Sequence, residues 1–307
     1  MNWFAAGGDR RLAALRRFAL SITVFTIVGH TLLGFEQPWA CPLVGVLTAY
    51  ACELTLEHLE AFAQRRAPRY TDLRGLGDFL LPAHITGLAV SMLLYAGQPL
   101  TPIMFAAAVG VGSKYVFRVP VNGRWRHVLN PSNTGIALTL VLFPSVGIAP
   151  PYHFTENLSG LLDWIVPLAI FASGMFLNWR LTGKMPLILA WLGGFVAQAA
   201  VRAAVLDATF VAALLPMTGL AFLLFTTYMV TDPGATPSSL HGQVAFGLAV
   251  AAVYGILLTL HIVFGLFFAL VITSALRAAG LYVLEYRRVR AVSRAPRPLE
   301  VPTKVAA

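Results

Sequence analysis

Charged residues are scarce in this chain. Asp, Glu, Lys and Arg make up 11% of its 307 residues, whereas hydrophobic residues make up 58%. A soluble globular protein carries roughly 25% charged residues, so the composition excludes that class and predicts an all-α polytopic membrane protein. The net charge of +9 does not indicate a nucleic-acid partner, because the cations lie in short clusters between apolar runs, as membrane topology signals do.

Cysteine is also scarce, with only Cys41 and Cys52 in the sequence. They lie eleven residues apart on one predicted helix, about 16 Å along its axis, which is too far for a disulfide. No CxxC or CxxCH motif occurs, so neither an iron–sulfur cluster nor a c-type haem is encoded. No Walker loop, metalloprotease motif or Ser-His-Asp order is present, which argues against an ATPase or hydrolase and predicts no metal site.

Long apolar runs dominate what remains and predict about ten transmembrane helices. The runs cover approximately 18–35, 38–61, 77–97, 100–117, 131–149, 160–179, 185–205, 209–230, 242–260 and 262–281. A ten-helix membrane domain, 18–281, is therefore expected between a cytoplasmic N-terminal segment, 1–17, and a basic cytoplasmic tail, 282–307.

Lys and Arg residues predict the orientation. They cluster before the first span and after the second, fourth, sixth and tenth spans, whereas the loops at 36–38, 97–102, 149–163 and 206–209 have none. Arg202 alone breaks this pattern. The positive-inside rule then places both termini in the cytoplasm of a multi-pass protein of the bacterial inner membrane. The basic tail is either a simple stop signal or a contact to anionic lipid.

Two similar segments suggest an internal repeat. LLPAHITGLA at 80–89 and LLPMTGLA at 214–221 share LLP and TGLA. They lie five predicted spans apart, so their orientations would be opposite, as in transporters built from two inverted five-helix repeats. The repeats would cover about 18–149 and 160–281. Chance similarity between two helices rich in Leu and Ala is the alternative.

The stretch from Ser113 to Ala137 is the longest polar and basic interruption of the apolar sequence. Its cations are Lys114, Arg118, Arg124, Arg126 and His127. Asn130 followed by Pro131 predicts a capped helix start. The free amides and the dipole of a helix N-terminus favour negative charge. A cationic loop that leads into such a start suits an anion.

A second capped helix start precedes the ninth span. Asp232-Pro233-Gly234 predicts a turn, and a hydroxyl residue among 236–239 can cap the next helix. Both starts would face the cytoplasm, either as ordinary interhelical loops or as one phosphate or carboxylate site. The residues of that site would be Lys114, Arg124, Arg126, Asn130, Ser132, Asn133, Asp232 and Thr236.

Ionisable residues within predicted spans are further candidates, because they are costly in lipid. Glu53 and Glu57 share a helix face and would either couple as two close carboxylates or emerge into water beside Arg65 and Arg66. The isolated His30, His84 and His261 are expected to form helix–helix hydrogen bonds rather than to ligate haem or metal. The glycines Gly110, Gly112, Gly193 and Gly194 are expected to allow close helix packing.

The Asn130-Pro131-Ser132-Asn133 helix start after the fourth span and the Thr231-Asp232-Pro233 turn after the eighth resemble the NqrB/RnfD family. SKYVFRVPVNGRWRHVLNPSNTGIA and FEQPWACPLVGVLTAYACELTLE are most similar to an RnfD-like branch, which includes membrane proteins associated with enediyne biosynthesis. The resemblance covers roughly 15–285. It implies ten helices in two inverted five-helix repeats, a fold also seen in urea transporters, and a flavin-carrying subunit of a redox complex.

One motif departs from that family. The resemblance implies FMN attached to the Thr of an Asp-x-x-Ser/Thr-Gly-Ala-Thr motif before the second half. The corresponding stretch, 152–164, has Ser159-Gly160 but no following Ala-Thr. Gly234-Ala235-Thr236 occurs later in the chain, but Pro233 stands where the family motif has Ser or Thr. Any FMN or riboflavin is therefore expected to be noncovalent, and a quinone is the other candidate.

Two functions follow from these features. The first is a transmembrane electron-transfer subunit that works with redox partner subunits in the lipid bilayer, at most as the membrane subunit of an oxidoreductase complex. The second is a transporter or channel for a small solute on the same fold. The family motif favours the first, and the missing covalent flavin motif favours the second.

Overall fold

The computed structural model describes residues 7–97, 99–121, 124–150, 157–206 and 209–294. The α-helices of the first half are α1 (Gly7–Val28), α2 (Ala40–Ala63), α3 (Leu73–Leu93), α4 (Thr101–Val116) and α5 (Pro131–Leu142). Those of the second half are α6 (Leu162–Leu177), α7 (Met185–Val205), α8 (Phe210–Leu214), α9 (Leu220–Leu224), α10 (Leu240–Thr259) and α11 (Gly265–Arg294). Short π-helical turns extend α1, α6 and α9.

Two small antiparallel pairs join loops at the helix ends. Strands β1 (Leu94–Tyr95) and β4 (Gly147–Ile148) pair with Leu94 opposite Ile148. Strands β2 (Arg118–Val121) and β3 (Arg124–His127) form a hairpin with Arg118 opposite His127. The predicted cationic loop is therefore an ordered hairpin between α4 and α5.

The helices have the length and apolar character of membrane spans. Among the described residues, seven helices are long and apolar enough to cross a bilayer, and α8–α9 would make an eighth if that bent pair is one span. Many large apolar side chains on these helices are exposed, among them Leu20, Leu47 and Leu168. Exposed apolar surface on this scale suits lipid rather than water, which agrees with an all-α polytopic membrane protein.

The predicted fourth and fifth spans differ most from expectation. Helix α4 has 16 residues and α5 has 12, so they reach about 24 and 18 Å, less than the roughly 30 Å hydrocarbon core. The fifth span was expected to run to residue 149, but α5 ends at Leu142. The residue before a proline disfavours helical geometry, and Phe143 precedes Pro144.

The eighth predicted span is broken. The helical segments Phe210–Thr218 and Leu220–Met229 meet at 70°. Gly219 lies between them in an extended conformation, three residues after Pro216. The similar segment at 80–89 lies in the unbroken helix α3, which accommodates Pro82. The two segments of the suspected repeat therefore have different local structures.

Aromatic side chains form the core of the second half, between α7, α9 and α10. Trp191 and Phe195 are fully buried. Their ring centroids lie 5.7 and 4.9 Å from that of Phe222, and Phe195 stacks on Tyr254 at 5.1 Å. The Trp191 Nε1–H donates to Thr226 Oγ1 at 2.9 Å, so the one polar atom of this indole is satisfied.

Two of the loops without Lys or Arg, 36–38 and 149–163, have described residues at one end of the bundle. Gln37 Nε2 donates to the Leu94 carbonyl at 2.5 Å, and the Asn157 amide donates to the Leu33 carbonyl at 3.2 Å. At the other end, cations join the loops after α2, α4, α6 and α9 to one another or to neighbouring helices. This grouping agrees with the loop pattern used for orientation.

Candidate functional site

A cavity of about 1120 Å³ lies among the described residues. Helices α1, α3 and α6 provide apolar walls, including Phe18, Ile22, Ile85 and Ile170. The other end is polar and is lined by residues of α2, α4, the β2–β3 hairpin, the start of α5 and the turn at 231–234. An apolar chamber with a few polar groups at one end is typical of sites for small molecules and cofactors.

Aromatic rings form part of the apolar wall. Phe18 of α1 stacks on Tyr228 at the end of α9, with ring centroids 4.6 Å apart and planes within 10°. The Tyr228 hydroxyl lies 2.8 Å from Ser173 Oγ of α6. All three residues line the cavity, so the wall offers flat apolar surface with a hydroxyl beside it.

The start of α5 forms part of the polar end. Asn130 caps the helix, because its Oδ1 accepts from the Asn133 amide at 2.9 Å and from Ser132 Oγ at 3.0 Å. Its Nδ2 donates to the Met229 carbonyl at 3.2 Å and lies 3.5 Å from Asp232 Oδ2. The first predicted helix start therefore meets the Asp232 turn directly.

The turn at 231–236 is held by its own polar groups. Asp232 Oδ1 accepts from the Gly234 amide at 2.8 Å, and its backbone carbonyl accepts from Thr236 Oγ1 at 2.5 Å. His127 Nε2 lies 3.8 Å from Asp232 Oδ2. A Cβ added at Gly234 would lie 2.3 Å from His127 Nε2, so any larger residue at position 234 would have to displace the His127 ring.

Lys114 does not contribute a free positive charge. Its Nζ forms an ion pair with Glu53 of α2, and the Tyr115 hydroxyl donates to Glu53 Oε1 at 3.0 Å. Glu53 is 4% exposed, and Lys114 is also largely buried. All three residues line the cavity. Buried ion pairs within a membrane bundle are costly and mark functional sites more often than simple packing.

Glu57 and Glu60, further along α2, extend this pair into an ion-pair network. Arg66 Nη1 contacts Glu57 Oε1 at 2.5 Å, and Arg69 Nη2 contacts Glu60 Oε2 at 2.6 Å. Arg118 of the hairpin also pairs with Glu60. The hydrogen bond to Glu57 raises the pKa of Arg66. Glu53 and Glu57 are both buried and pair with separate cations, so neither is a free carboxylate that emerges into water.

The structure brings together five of the eight residues predicted for the site. Lys114, Arg126, Asn130, Ser132 and Asp232 line the cavity. Arg126 is exposed and makes no ion pair with any described carboxylate.

The other three predicted residues lie apart from the cavity or cannot be placed. Asn133 points to α11, where its Nδ2 donates to the Phe267 carbonyl at 3.0 Å. Thr236 is buried, with its hydroxyl turned to the Asp232 carbonyl. The side chain of Arg124 lies outside the described residues.

Charge at the cavity is balanced rather than cationic. Its lining contains four carboxylates and four Lys or Arg residues. The carboxylates are Glu53, Glu60, Asp78 and Asp232, and the cations are Arg69, Lys114, Arg118 and Arg126. The predicted site included Lys114, Arg126 and Asp232 but not the other charged residues, because which carboxylate meets which cation depends on how α2 packs on α4. The geometry suits a neutral polar ring better than a free anion.

Of the three isolated histidines, only His84 forms hydrogen bonds between helices. Its Nδ1 lies 2.8 Å from the Tyr50 hydroxyl, and its Nε2 lies 2.7 Å from Thr23 Oγ1. Thr23 donates its own proton to the Ala19 carbonyl, so Nε2 carries the hydrogen and Nδ1 accepts. His30 bonds within its own helix, to the Thr26 carbonyl, and His261 lies in the turn after α10. No cluster of metal-binding side chains occurs in the described ranges.

Neither a scan against protein-family models nor a search of curated proteins gives a match to this chain. The resemblance to the NqrB/RnfD family therefore rests on the sequence motifs alone, which are the stretches 35–57 and 113–137 and the Asp232 turn.

Proposed function

We propose that this protein is an integral membrane subunit for transmembrane electron transfer, similar to the NqrB/RnfD family, that holds a flavin or quinone noncovalently. The observation that carries the proposal is the cavity of about 1120 Å³, in which the α5 start and the Asp232 turn meet opposite an apolar chamber. Such a shape accommodates an amphipathic molecule with a polar ring and an apolar body. The cofactor supplies the redox chemistry, and the protein supplies position and electrostatics.

The cavity chemistry favours a neutral head group. Asn130, Ser132 and the Tyr228 hydroxyl offer hydrogen-bond donors and acceptors, while the buried cations are already paired with carboxylates. Quinone carbonyls and the ring of riboflavin or FMN need such partners rather than a net charge. The phosphate of FMN would lie near Arg126 at the exposed side of the cavity.

The proposal includes two inverted repeats of five helices, with α1–α5 opposite α6, α7, α8–α9, α10 and α11. Helix pairs in equivalent positions pack in both halves, such as α2 with α4 and α7 with α10, or α4 with α5 and α10 with α11. We also propose that the bacterial inner membrane holds the protein with both termini in the cytoplasm. Reporter fusions after Lys304 and near Asn157 test this orientation, since each should be active on one side only.

Solute transport is the second candidate, and discontinuous helices support it. Helix α5 is too short to span, and the helix pair at Gly219 is bent by 70°. Transporters commonly place broken helices at the substrate site. Uptake of solute into proteoliposomes by protein without a bound chromophore would favour this function.

Absorbance and mass spectrometry of detergent-purified protein test the first function. Ala169→Trp places a large side chain at the cavity lining on α6, while Ala172→Trp, at another exposed position of the same helix, is a control away from the lining. We expect the control to retain a flavin or quinone and Ala169→Trp to lose it. If both variants retain the flavin or quinone equally, the cavity is not the cofactor site.

A further inference from the structure

A second groove lies between α10 and α11, away from the cavity. It has a volume of about 540 Å³. Ser239 and Arg277 line its polar end, whereas Ala245, Ala249 and Leu276 continue it as an apolar channel. Polar and apolar portions thus follow each other along one groove, as they do in a phospholipid.

The polar end contains the N-terminus of a long helix. Ser239 Oγ accepts from the Gly242 amide at 3.2 Å, and its carbonyl accepts from the Gln243 amide at 2.9 Å. The amides of Leu240 and His241 have no acceptor among the described residues. Unsatisfied amides and the positive end of the helix dipole attract phosphate.

Arg277 adds an unpaired positive charge to this end. Its Nη1 donates to the Ala235 carbonyl at 2.8 Å, but it forms no ion pair with any carboxylate in the part of the chain that the structure describes. The positive charge of its half-buried guanidinium is therefore not neutralised by a carboxylate. Arg is suited to bidentate binding of phosphate.

Two buried side chains near the α10 start, Thr273 and Lys184, also favour an anionic ligand there. Thr273 lines the groove, is 5% exposed, and its hydroxyl has no partner among the described residues. Lys184 is 3% exposed and donates from Nζ to the Pro237 carbonyl at 2.6 Å, while Asp232 favours its charged form from beyond ion-pair distance. A buried polar or charged group that is compensated only in part is costly. An anion at the α10 start would offset part of that cost.

We propose that this groove binds one anionic phospholipid. Its phosphate contacts Arg277 and the free amides of α10, and an acyl chain lies along Ala245 and Ala249. The bilayer supplies this ligand at the level where Lys and Arg attract anionic headgroups. The site is separate from the proposed cofactor cavity and does not depend on it.

Lipid binding to detergent-purified, delipidated protein tests the proposal. Native mass spectrometry and thermal-shift titrations would compare dioleoyl phosphatidylglycerol, dioleoyl phosphatidylcholine and inorganic phosphate. We expect phosphatidylglycerol to bind with one tight site and to raise Tm more than the other two. Arg277→Gln should weaken that site about tenfold or more, because a charge-assisted contact to phosphate is lost. Arg180→Gln, at an exposed Arg stacked on Trp179, should leave it unchanged.

Ala249→Trp is a second variant in case Arg277→Gln fails to fold. It blocks the apolar part of the groove and leaves Arg277 in place, while Ala252→Trp is an exposed control on the same helix outside the lining. Loss of phosphatidylglycerol binding in Ala249→Trp alone supports the site. Equal affinity for both lipids, or equal stabilisation by phosphate alone, overturns it.

Discussion

The side-chain amide of Asn130 donates to the backbone carbonyl of Met229 at 3.2 Å and thereby joins positions 99 residues apart. The same side chain caps α5 through its Oδ1. One residue thus starts the half-length helix and attaches it to the segment that leads into the Asp232 turn. The two halves of the chain meet at this contact.

Substitution of Asn130 should separate these two roles. Asn130→Ala loses both the cap and the contact to Met229, so we expect a loss of about 1–3 kcal/mol in unfolding free energy. Asn130→Ser keeps an oxygen that can cap the helix but has no amide to donate to Met229, so it should lose less stability. Tm in detergent measures both. Equal effects would mean that the contact to Met229, and not the cap, accounts for this residue.

The Glu53–Lys114 pair should show strong coupling. Glu53→Gln or Lys114→Met alone leaves a buried charge without its partner, which costs about 3–5 kcal/mol. The double variant should recover much of that loss, because no uncompensated charge remains. Asp78→Asn, which breaks the more exposed Arg16–Asp78 pair, should cost much less, because solvent screens that pair. Additive losses in the double variant would contradict this coupling.

Close packing of α4 on α5 should depend on Gly110 but not on Gly112. A Cβ at Gly110 would lie 2.7 Å from the Pro131 carbonyl, whereas nothing lies within 4 Å of one at Gly112. Gly110→Ala should therefore cost about 1–3 kcal/mol through overpacking. Gly112→Ala should be neutral or stabilise by up to about 1 kcal/mol through helix propensity. Thermal unfolding of the two variants checks the difference.

Lys184 should make stability depend on alkaline pH. Burial lowers the pKa of its ammonium to about 8, despite the opposing effect of Asp232. Between about pH 8 and the ordinary pKa of 10.5, the unfolded chain binds more protons than the folded one. Unfolding free energy should therefore rise with pH in this window, by at most about 1.4 kcal/mol per pH unit.

Two variants at position 184 test whether Lys184 causes this dependence of stability on pH. Lys184→Met has no ammonium to titrate, and Lys184→Arg stays charged across the window. Tm of the wild type should rise relative to both variants between about pH 8 and 9.5. Parallel pH profiles of the three proteins would show that Lys184 does not titrate there.

The sequence predicted features that depend on local chemistry. Scarce charge indicated a helical membrane protein, and the Asn130-Pro131 dipeptide predicted the capped start of α5, which the structure confirms. The packing role expected for glycines holds at Gly110 and Gly194, where a Cβ would lie 2.7 Å from a neighbour, but not at Gly112 or Gly193. Periodicity does not distinguish a glycine that faces a helix from one that faces lipid.

Features that depend on tertiary packing were harder to predict. The end of α5 at Leu142 and the break at Gly219 have visible signals in Pro144 and Pro216, but apolar content alone extends a span through both. The pairing of Lys114 with Glu53 joins residues 61 positions apart, and no local pattern specifies it. The cationic stretch of the sequence therefore predicted an anion site, whereas the charges that line the folded cavity are balanced.

The central claim is that the cavity holds a flavin or quinone without a covalent bond. Detergent-purified protein should be measured by absorbance and native mass spectrometry, and then by intact mass after denaturation. We predict close to one flavin or quinone per chain in the native protein, and a denatured mass equal to the unmodified chain apart from N-terminal processing. Native protein that carries neither molecule, or a denatured mass increased by one FMN at Thr236, would contradict the account.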